Sequence, residues 1–452
     1  MRKSILAATI SAILFTGCEN LVDDLNVNPN QFTEVPAQLV FNHVVLSTST
    51  IAEAEPLRLA GMWADQFAGT DRQYTTQDNY DVGAADFNGI WGDLFQQGIA
   101  QAQIAQAQAE AEELAVVANY SRLLEGYYVA EAALMFGDVP YSQVNDLEFA
   151  DPVYEPQEEV LAAGINLLME ATTGPGADNP VTSANQVFTT GPEPTGTTWG
   201  QLGNALMARY YLAQGNYEQA LTAAQAANFD NMTDGVYYIH TTTNFTENLI
   251  YQFEFEQRAN YLSFGSEGTN ESTLYNILST DTPMSRADDK TDDAARLALF
   301  SSGADQGIYR INVTDEGYFA ADADFPLVGY PEVQLIIAES AARTGDEESA
   351  LSALNNARNY WDGLTGTDSY EDLDETDLSG DELIEAILVE KYVSVFGLPT
   401  FYDIIRTDNL IGADMDSRDT PAERFLYPAT EISSNSNYPG NKTLDDATPV
   451  FN

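Results

Sequence analysis

Apolar residues recur at three- and four-residue spacing along much of the chain, the signature of helices with one buried face. The spacing predicts a first helix over Pro36–Leu46 and a second over Pro56–Phe67. Gly69–Asp86 is polar and dotted with aromatics and reads as a loop; helix resumes at Phe87 and runs to Ala109. Gln96–Glu113 is built almost wholly of Gln, Ala, Ile and Glu. High helix propensity and little bulk suit a closely packed helix pair. Asn119–Met135 is helical again, with Leu123, Leu124, Tyr127, Tyr128 and Ala130 on helical spacing. Gly174–Gly200 is rich in Pro, Gly and Thr and reads as a long loop. Val236–Glu256 contains Tyr237, Tyr238, Ile239 and an alternating run, Leu249–Phe255, the pattern of short strands. Tyr261–Asp324 has no strong period and many turn residues. Long irregular stretches of this kind are more often functional than structural.

Two later segments repeat one pattern. Ala208/Ala338, Gly215/Gly345, Ala220/Ala350 and Ala227/Ala357 are each separated by 130 positions. Small residues fit where two helices cross, and Gly makes the turn between them. This resembles the tetratricopeptide helix–turn–helix unit. A weaker copy ends at Met135-Phe136-Gly137-Asp138. The copies are dispersed, so the chain is not a plain solenoid.

Composition narrows the partners. The 452 residues carry 18 Lys+Arg against 70 Asp+Glu, a net charge of −52. A nucleic acid needs a basic footprint, and none exists here. With 44% hydrophobic and 11% aromatic residues the chain can bury a large core, so the charge does not imply disorder. Adaptation to saline surroundings is the plain alternative to a functional reading of the charge.

The chain opens with Met1-Arg2-Lys3 and an apolar run from Ile5 to Phe15, too short to span a bilayer. It ends in Phe15-Thr16-Gly17-Cys18, and Cys18 is the only cysteine. No intramolecular disulfide or cysteine-based metal site is possible. The pattern resembles a bacterial lipobox, with residues 1–17 as signal peptide, Cys18 as the lipid attachment site, 18–35 as tether and 36–452 as one domain. An ordinary secretory signal with a chance cysteine is the alternative. Removal of residues 1–17 takes Arg2 and Lys3 and no acid, so the charge moves from −52 to −54. Glu19, Asp23 and Asp24 follow the cysteine, resembling the surface-export signal of Bacteroidetes lipoproteins.

The motifs together resemble one family. Met135-Phe136-Gly137-Asp138-Val139-Pro140-Tyr141 is similar to the "fGDvPy" stretch of the SusD/RagB family of outer-membrane nutrient-binding lipoproteins. Pro331–Ala357 resembles its later repeat, and Ile387–Arg406 its C-terminal helix. Arg424-Phe425-Leu426-Tyr427-Pro428, with Glu431, Asn435 and Asn437, resembles its C-terminal signature. Lys391 and Gly397-Leu398-Pro399-Thr400 stand where many members carry an "ER…EGxR" pattern. The resemblance covers essentially the whole chain. It implies a mainly α fold of four tetratricopeptide-like pairs with an irregular, loop-rich ligand-binding lobe. It also implies a SusC-like TonB-dependent transporter as partner, a lipid anchor on the outer membrane facing outward, and capture of a glycan without bond making or breaking. A neutral glycan, such as the β-glucan laminarin, suits the charge. An oligopeptide-binding relative and a secreted glycoside hydrolase are the alternatives.

Sugars need aromatic faces and polar groups for hydroxyls. Trp63, Asp65, Gln66, Arg72, Tyr74, Asn79 and Tyr80 offer both on one segment, and Tyr74 and Tyr80 are the expected platform. Tyr261, Phe264, Asn270 and Tyr275 form a second segment. Trp91 and Trp361 are expected in packing. Tyr210, Tyr211 and Tyr217 could face a docked transporter, with core packing as the stronger reading. His43 and His240 are the only histidines and sit in no ligand spacing. No catalytic motif, cofactor or metal site is expected beyond possible structural calcium at Asp288-Asp289 with Asp292-Asp293, or at Asp414 with Asp416.

Overall fold

The computed structural model describes residues 35–183, 185–190, 196–280 and 282–451. The signal peptide, Cys18 and all of the tether but its last residue lie outside this range. Helix dominates, as expected. The first helix, α1, spans Ala37–Ala52, a turn and a half beyond its predicted end. It is followed by α2 (Glu55–Trp63), with Pro56 at its start, where the missing N–H costs nothing. The expected loop Gly69–Asp86 contains a short helix, α3 (Arg72–Asp78). Next, α4 begins at Asn88–Gly92, passes through a π-helical turn at Asp93–Ile99 and runs on over Ala100–Ala111. Then come α5 (Ala115–Phe136), α6 (Gln157–Ala171), α7 (Trp199–Ala213) and α8 (Tyr217–Ala227). After the lobe come α9 (Tyr330–Thr344), α10 (Glu347–Thr365), α11 (Gly380–Ser394) and α12 (Leu398–Arg406).

The helices pack largely in chain order: α1 on α4, then α5, α6, α7, α8 and α9, with α10 and α11 on α9. Small residues set the spacing. A Cβ on Gly126 of α5 would lie 2.8 Å from the Gly164 carbonyl oxygen of α6. The repeat read at a 130-residue offset holds in three dimensions. Ala208, Ala220 and Ala227 are fully buried, as are Ala338, Ala350 and Ala357. Gly215 (φ 68°) and Gly345 (φ 89°) make the two turns in the left-handed region, where a side chain would be strained.

The lobe between α8 and α9 is less irregular than its sequence suggests. β1 (Ala68–Gly69) pairs antiparallel with β4 (Leu262–Ser263). A three-stranded sheet has the order β2-β3-β9, from Phe188–Thr189, Gly235–Tyr238 and Phe325–Gly329. A four-stranded sheet has the order β6-β5-β8-β7, from Asn270–Glu271, Gly265–Ser266, Ile308–Ile311 and Ser301–Asp305. The alternating run Leu249–Phe255 is not a strand. It is helical at Leu249–Tyr251 and π-helical at Gln252–Gln257. The Asn248 side chain accepts the N–H groups of Ile250 and Tyr251, and this cap starts the turn.

Scarce basic side chains are used inside. Arg209 forks onto Glu332 at 2.6 and 2.8 Å, Arg296 meets Glu390 at 2.8 Å, and Lys391 meets Asp403 at 2.9 Å. Arg406 holds Glu339 at 2.5 and 2.7 Å, which keeps that buried carboxyl down at about 2 against the cost of its burial. The Lys391–Asp403 pair occupies the stretch where the family's usual ER pattern is missing.

Candidate functional site

Two segments singled out separately in the sequence meet in space. The β1–β4 pairing sets Ala68 opposite Ser263 and Gly69 opposite Leu262. Thr70 extends it, donating its N–H to the Tyr261 carbonyl and its hydroxyl to the Asn260 carbonyl, both at 2.9 Å. Asp65 reaches across to accept the Thr273 N–H at 2.8 Å. Gly69 is obligatory here, because a Cβ would lie 2.1 Å from the Tyr74 carbonyl oxygen.

Most of the predicted site residues form the frame of this junction. Trp63 is fully buried and donates its indole N–H to the Gln77 carbonyl at 2.9 Å. Tyr80 stacks on Trp63 with centroids 5.3 Å apart and donates its hydroxyl to the Trp63 carbonyl. Arg418 lies over the Tyr80 ring at 5.2 Å. Tyr74 packs on Phe253 and edge-on to Tyr261, and its hydroxyl accepts the Arg58 Nε–H at 2.9 Å. Gln66 is buried and ties this segment to the α11–α12 junction, donating to the Tyr392 and Val395 carbonyls and accepting the Gly397 N–H. Phe264 packs on Phe67. The platform expected at Tyr74 and Tyr80 is therefore corrected: both rings are more than nine-tenths buried and their faces are occupied. Large amphipathic rings bury readily once the polar tip finds a partner. On a sequence row they look the same as exposed platforms.

Three predicted residues stay accessible. Arg72 is the most open, with its side chain 71% exposed and its guanidinium 5.9 Å from the Tyr261 ring. Asn79 is exposed and donates to the Thr75 carbonyl. Tyr275 is half-buried and stacks on Tyr309 with centroids 3.9 Å apart and planes at 22°. Tyr309 escaped the sequence reading. The signal that marks it is the alternation Ile308-Tyr309-Arg310-Ile311 after the turn Asp305-Gln306-Gly307. Arg258 adds a second guanidinium 5.6 Å from the Tyr261 ring. The result is an open face of aromatic, amide and guanidinium groups over a rigid aromatic base.

Carboxylates beneath that face are held toward their neutral forms. Burial first, then the nearby Asp416 charge, lifts Asp78 to about 8. Asp416 rises to about 6 through burial and its neighbour Asp414. Burial raises Glu254 to about 7, although it accepts the N–H groups of Leu262 and Asn260. Among the described residues no three His, Cys, Asp or Glu side chains converge to hold a metal ion. At the first cluster considered for calcium, Asp293 is paired with Arg286 and Tyr370, and Asp292 accepts the Ala294 N–H. At the second, Asp414 accepts the Asp416 N–H.

Trp91 and Trp361 pack as expected, Trp91 against Phe95 and Trp361 beneath the Arg296 guanidinium at 3.9 Å. Tyr210 is fully buried and donates to Glu131, while Tyr211 and Tyr217 are half-buried.

Residues 29–428 match the family model SusD-like_2, described as starch-binding and associating with the outer membrane. Solved structures agree in fold. A SusD homologue from Bacteroides uniformis aligns over 92% of this chain and 98% of its own at 15% identity and a TM-score of 0.66. One from Bacteroides fragilis aligns over 92% and 99% at 19% identity and 0.63. A chitin-binding protein aligns over 89% and 94% at 16% identity and 0.58. No curated protein sequence matches significantly. With the family model spanning most of its length, the chain belongs to the SusD-like family of outer-membrane-associated binding proteins.

Proposed function

We propose that the chain is a lipid-anchored, outward-facing lipoprotein that captures a neutral oligosaccharide on the β1–β4 face and passes it to a SusC-like TonB-dependent transporter. It binds and does not cleave. The observation that carries this reading is the convergence of Arg72, Asn79, Tyr275 and Tyr309 on one rigid base. The outer faces of the Tyr275–Tyr309 stack suit the apolar faces of pyranose rings, and the amide and guanidinium groups suit hydroxyls. Anionic cargo is disfavoured because Arg209, Arg296, Lys391 and Arg406 are buried against carboxylates, leaving few cations to offset the −52 charge. A β-glucan of the laminarin type is the specific cargo to try first.

Affinity gel electrophoresis against a panel of neutral and acidic polysaccharides tests the proposal. The expected result is retardation by at least one neutral glucan and by no acidic polymer. Tyr275→Ala and Tyr309→Ala should each weaken retention about tenfold, equivalent to ~1.4 kcal/mol of lost stacking. Release of reducing sugar from any polymer, or full retention by both variants, would refute it.

A further inference from the structure

One surface departs from the charge pattern of everything around it. Residues 37–52 of α1 and 94–109 of α4 contain no Lys, Arg, Asp or Glu, where the chain average of 19% charged would place about six. These two helices pack side by side, and His43 Nε2 and Gln97 Oε1 meet across them at 3.0 Å. Their outward side chains are neutral. Asn42, His43, Gln96 and Gln97 are exposed, beside Leu39 (58% exposed), Leu46 (57%) and Ile104 (36%). Leu114 and Val116, 38% and 37% exposed, continue the patch at the start of α5. Charges reappear only at its ends, at Glu53 and Asp93 on one side and Glu110 and Glu112 on the other.

An ordinary solvent-facing helix in so acidic a chain would carry acids on its outer face. Loss of charge at the centre, exposed apolar side chains and a charged rim are the compositional marks of a protein–protein interface. We infer that the α1/α4 face is the surface on which the membrane-embedded partner protein seats. This inference rests on the lipid anchor and transporter of the preceding section and names the docking surface for them.

Two observations select a protein in the membrane beside the anchor as the occupant. The undescribed N-terminal segment ends where this face begins. Cys18 lies 19 residues before Ala37, so even a fully extended tether keeps the start of α1 within ~65 Å of the lipid. A lipid surface fits poorly, because interfacial helices use Lys, Arg and Trp, and this face has none. The face also differs from the one expected at Tyr210, Tyr211 and Tyr217, where Tyr210 is buried and Arg343 covers Tyr217 at 5.0 Å.

The test uses the full-length lipidated chain in its own outer membrane. A photoreactive phenylalanine is placed at Leu39, Leu46 or Ile104, and at Tyr211 as a control. Cross-linked species are then identified by mass spectrometry. The expected result is a cross-link to a TonB-dependent transporter from the first three positions and none from Tyr211. The triple variant L39E/L46E/I104E should lose co-purification with that transporter at least tenfold while keeping wild-type melting and glycan retention. Cross-links only to lipid, or to a second copy of the chain, would overturn the inference. So would undiminished co-purification of the triple variant, which would leave the transporter reading intact and move the surface elsewhere. Absence of any transporter with the wild-type chain would remove the partner itself.

Discussion

Replacing Tyr80 separates a frame from a platform. The ring is 9% exposed, stacks on Trp63 at 5.3 Å and is covered by Arg418 on its other side. Its hydroxyl donates to the Trp63 carbonyl at 3.1 Å. Truncation of a buried aromatic to Ala removes its transfer free energy and leaves a cavity, together about 3–5 kcal/mol. Tyr80 has φ 59°, but Ala is strained there to the same degree as Tyr, so the backbone adds no further difference. Tyr80→Phe removes only the hydroxyl and leaves the carbonyl without that donor, a loss of about 1 kcal/mol. For a chain of this length the unfolding entropy near 60 °C is about 0.9 kcal/mol per degree, so Tyr80→Ala should lower Tm by about 3–5 °C and Tyr80→Phe by about 1 °C. Tyr275→Ala, at a half-buried position, should lower Tm less and glycan retention more. Differential scanning calorimetry and the affinity gel, run on the same preparations, read both quantities. If Tyr80→Ala melts within a degree of wild type and loses retention, the ring is a platform and the burial argument fails.

Three further outcomes follow from the packing and the buried charges. Gly126→Ala should destabilise by about 1–3 kcal/mol although Ala is the better helix former, because the new methyl would lie 2.8 Å from the Gly164 carbonyl; a variant melting at or above wild type would show that α5 and α6 can separate freely. Glu339→Gln should cost about 3 kcal/mol in urea unfolding by stripping buried Arg406 of its forked partner, and a double change of Glu339→Leu with Arg406→Met should recover part of it. Asp78 and Glu254 are raised from 3.8 and 4.5 to about 8 and about 7, so the folded chain holds protons that the unfolded chain has released. Their contribution is fully present below pH 4 and is lost as the pH climbs through 7 to 8. Thermal stability should therefore fall between pH 5 and pH 8, with a shallower fall in Asp78→Asn, whose amide oxygen can still accept the Gly69 N–H.

The helical part of the fold was legible because its determinants are periodic. Ala208, Gly215 and Ala220 each recur 130 positions later, and small residues at crossings with Gly at turns specify a hairpin whatever surrounds it. The lobe was less legible because its determinants are single contacts. One Asn248 side chain turned an alternating, strand-like run into a helix, and one glycine at 69 allowed β1 to lie against α3. The site divides along the same line. Residue type alone marked the right two segments, since Trp, Tyr, Arg and Asn concentrate wherever a chain builds either an amphipathic frame or a sugar platform. Which rings face outward depends on partners distant in sequence: Phe253 for Tyr74, Met415 and Arg418 for Tyr80, and Gly397 for Gln66. Composition was also most informative where it was local. The net charge of −52 argued against anionic cargo, but the uncharged stretches at 37–52 and 94–109 pointed to a surface only once the fold set them side by side.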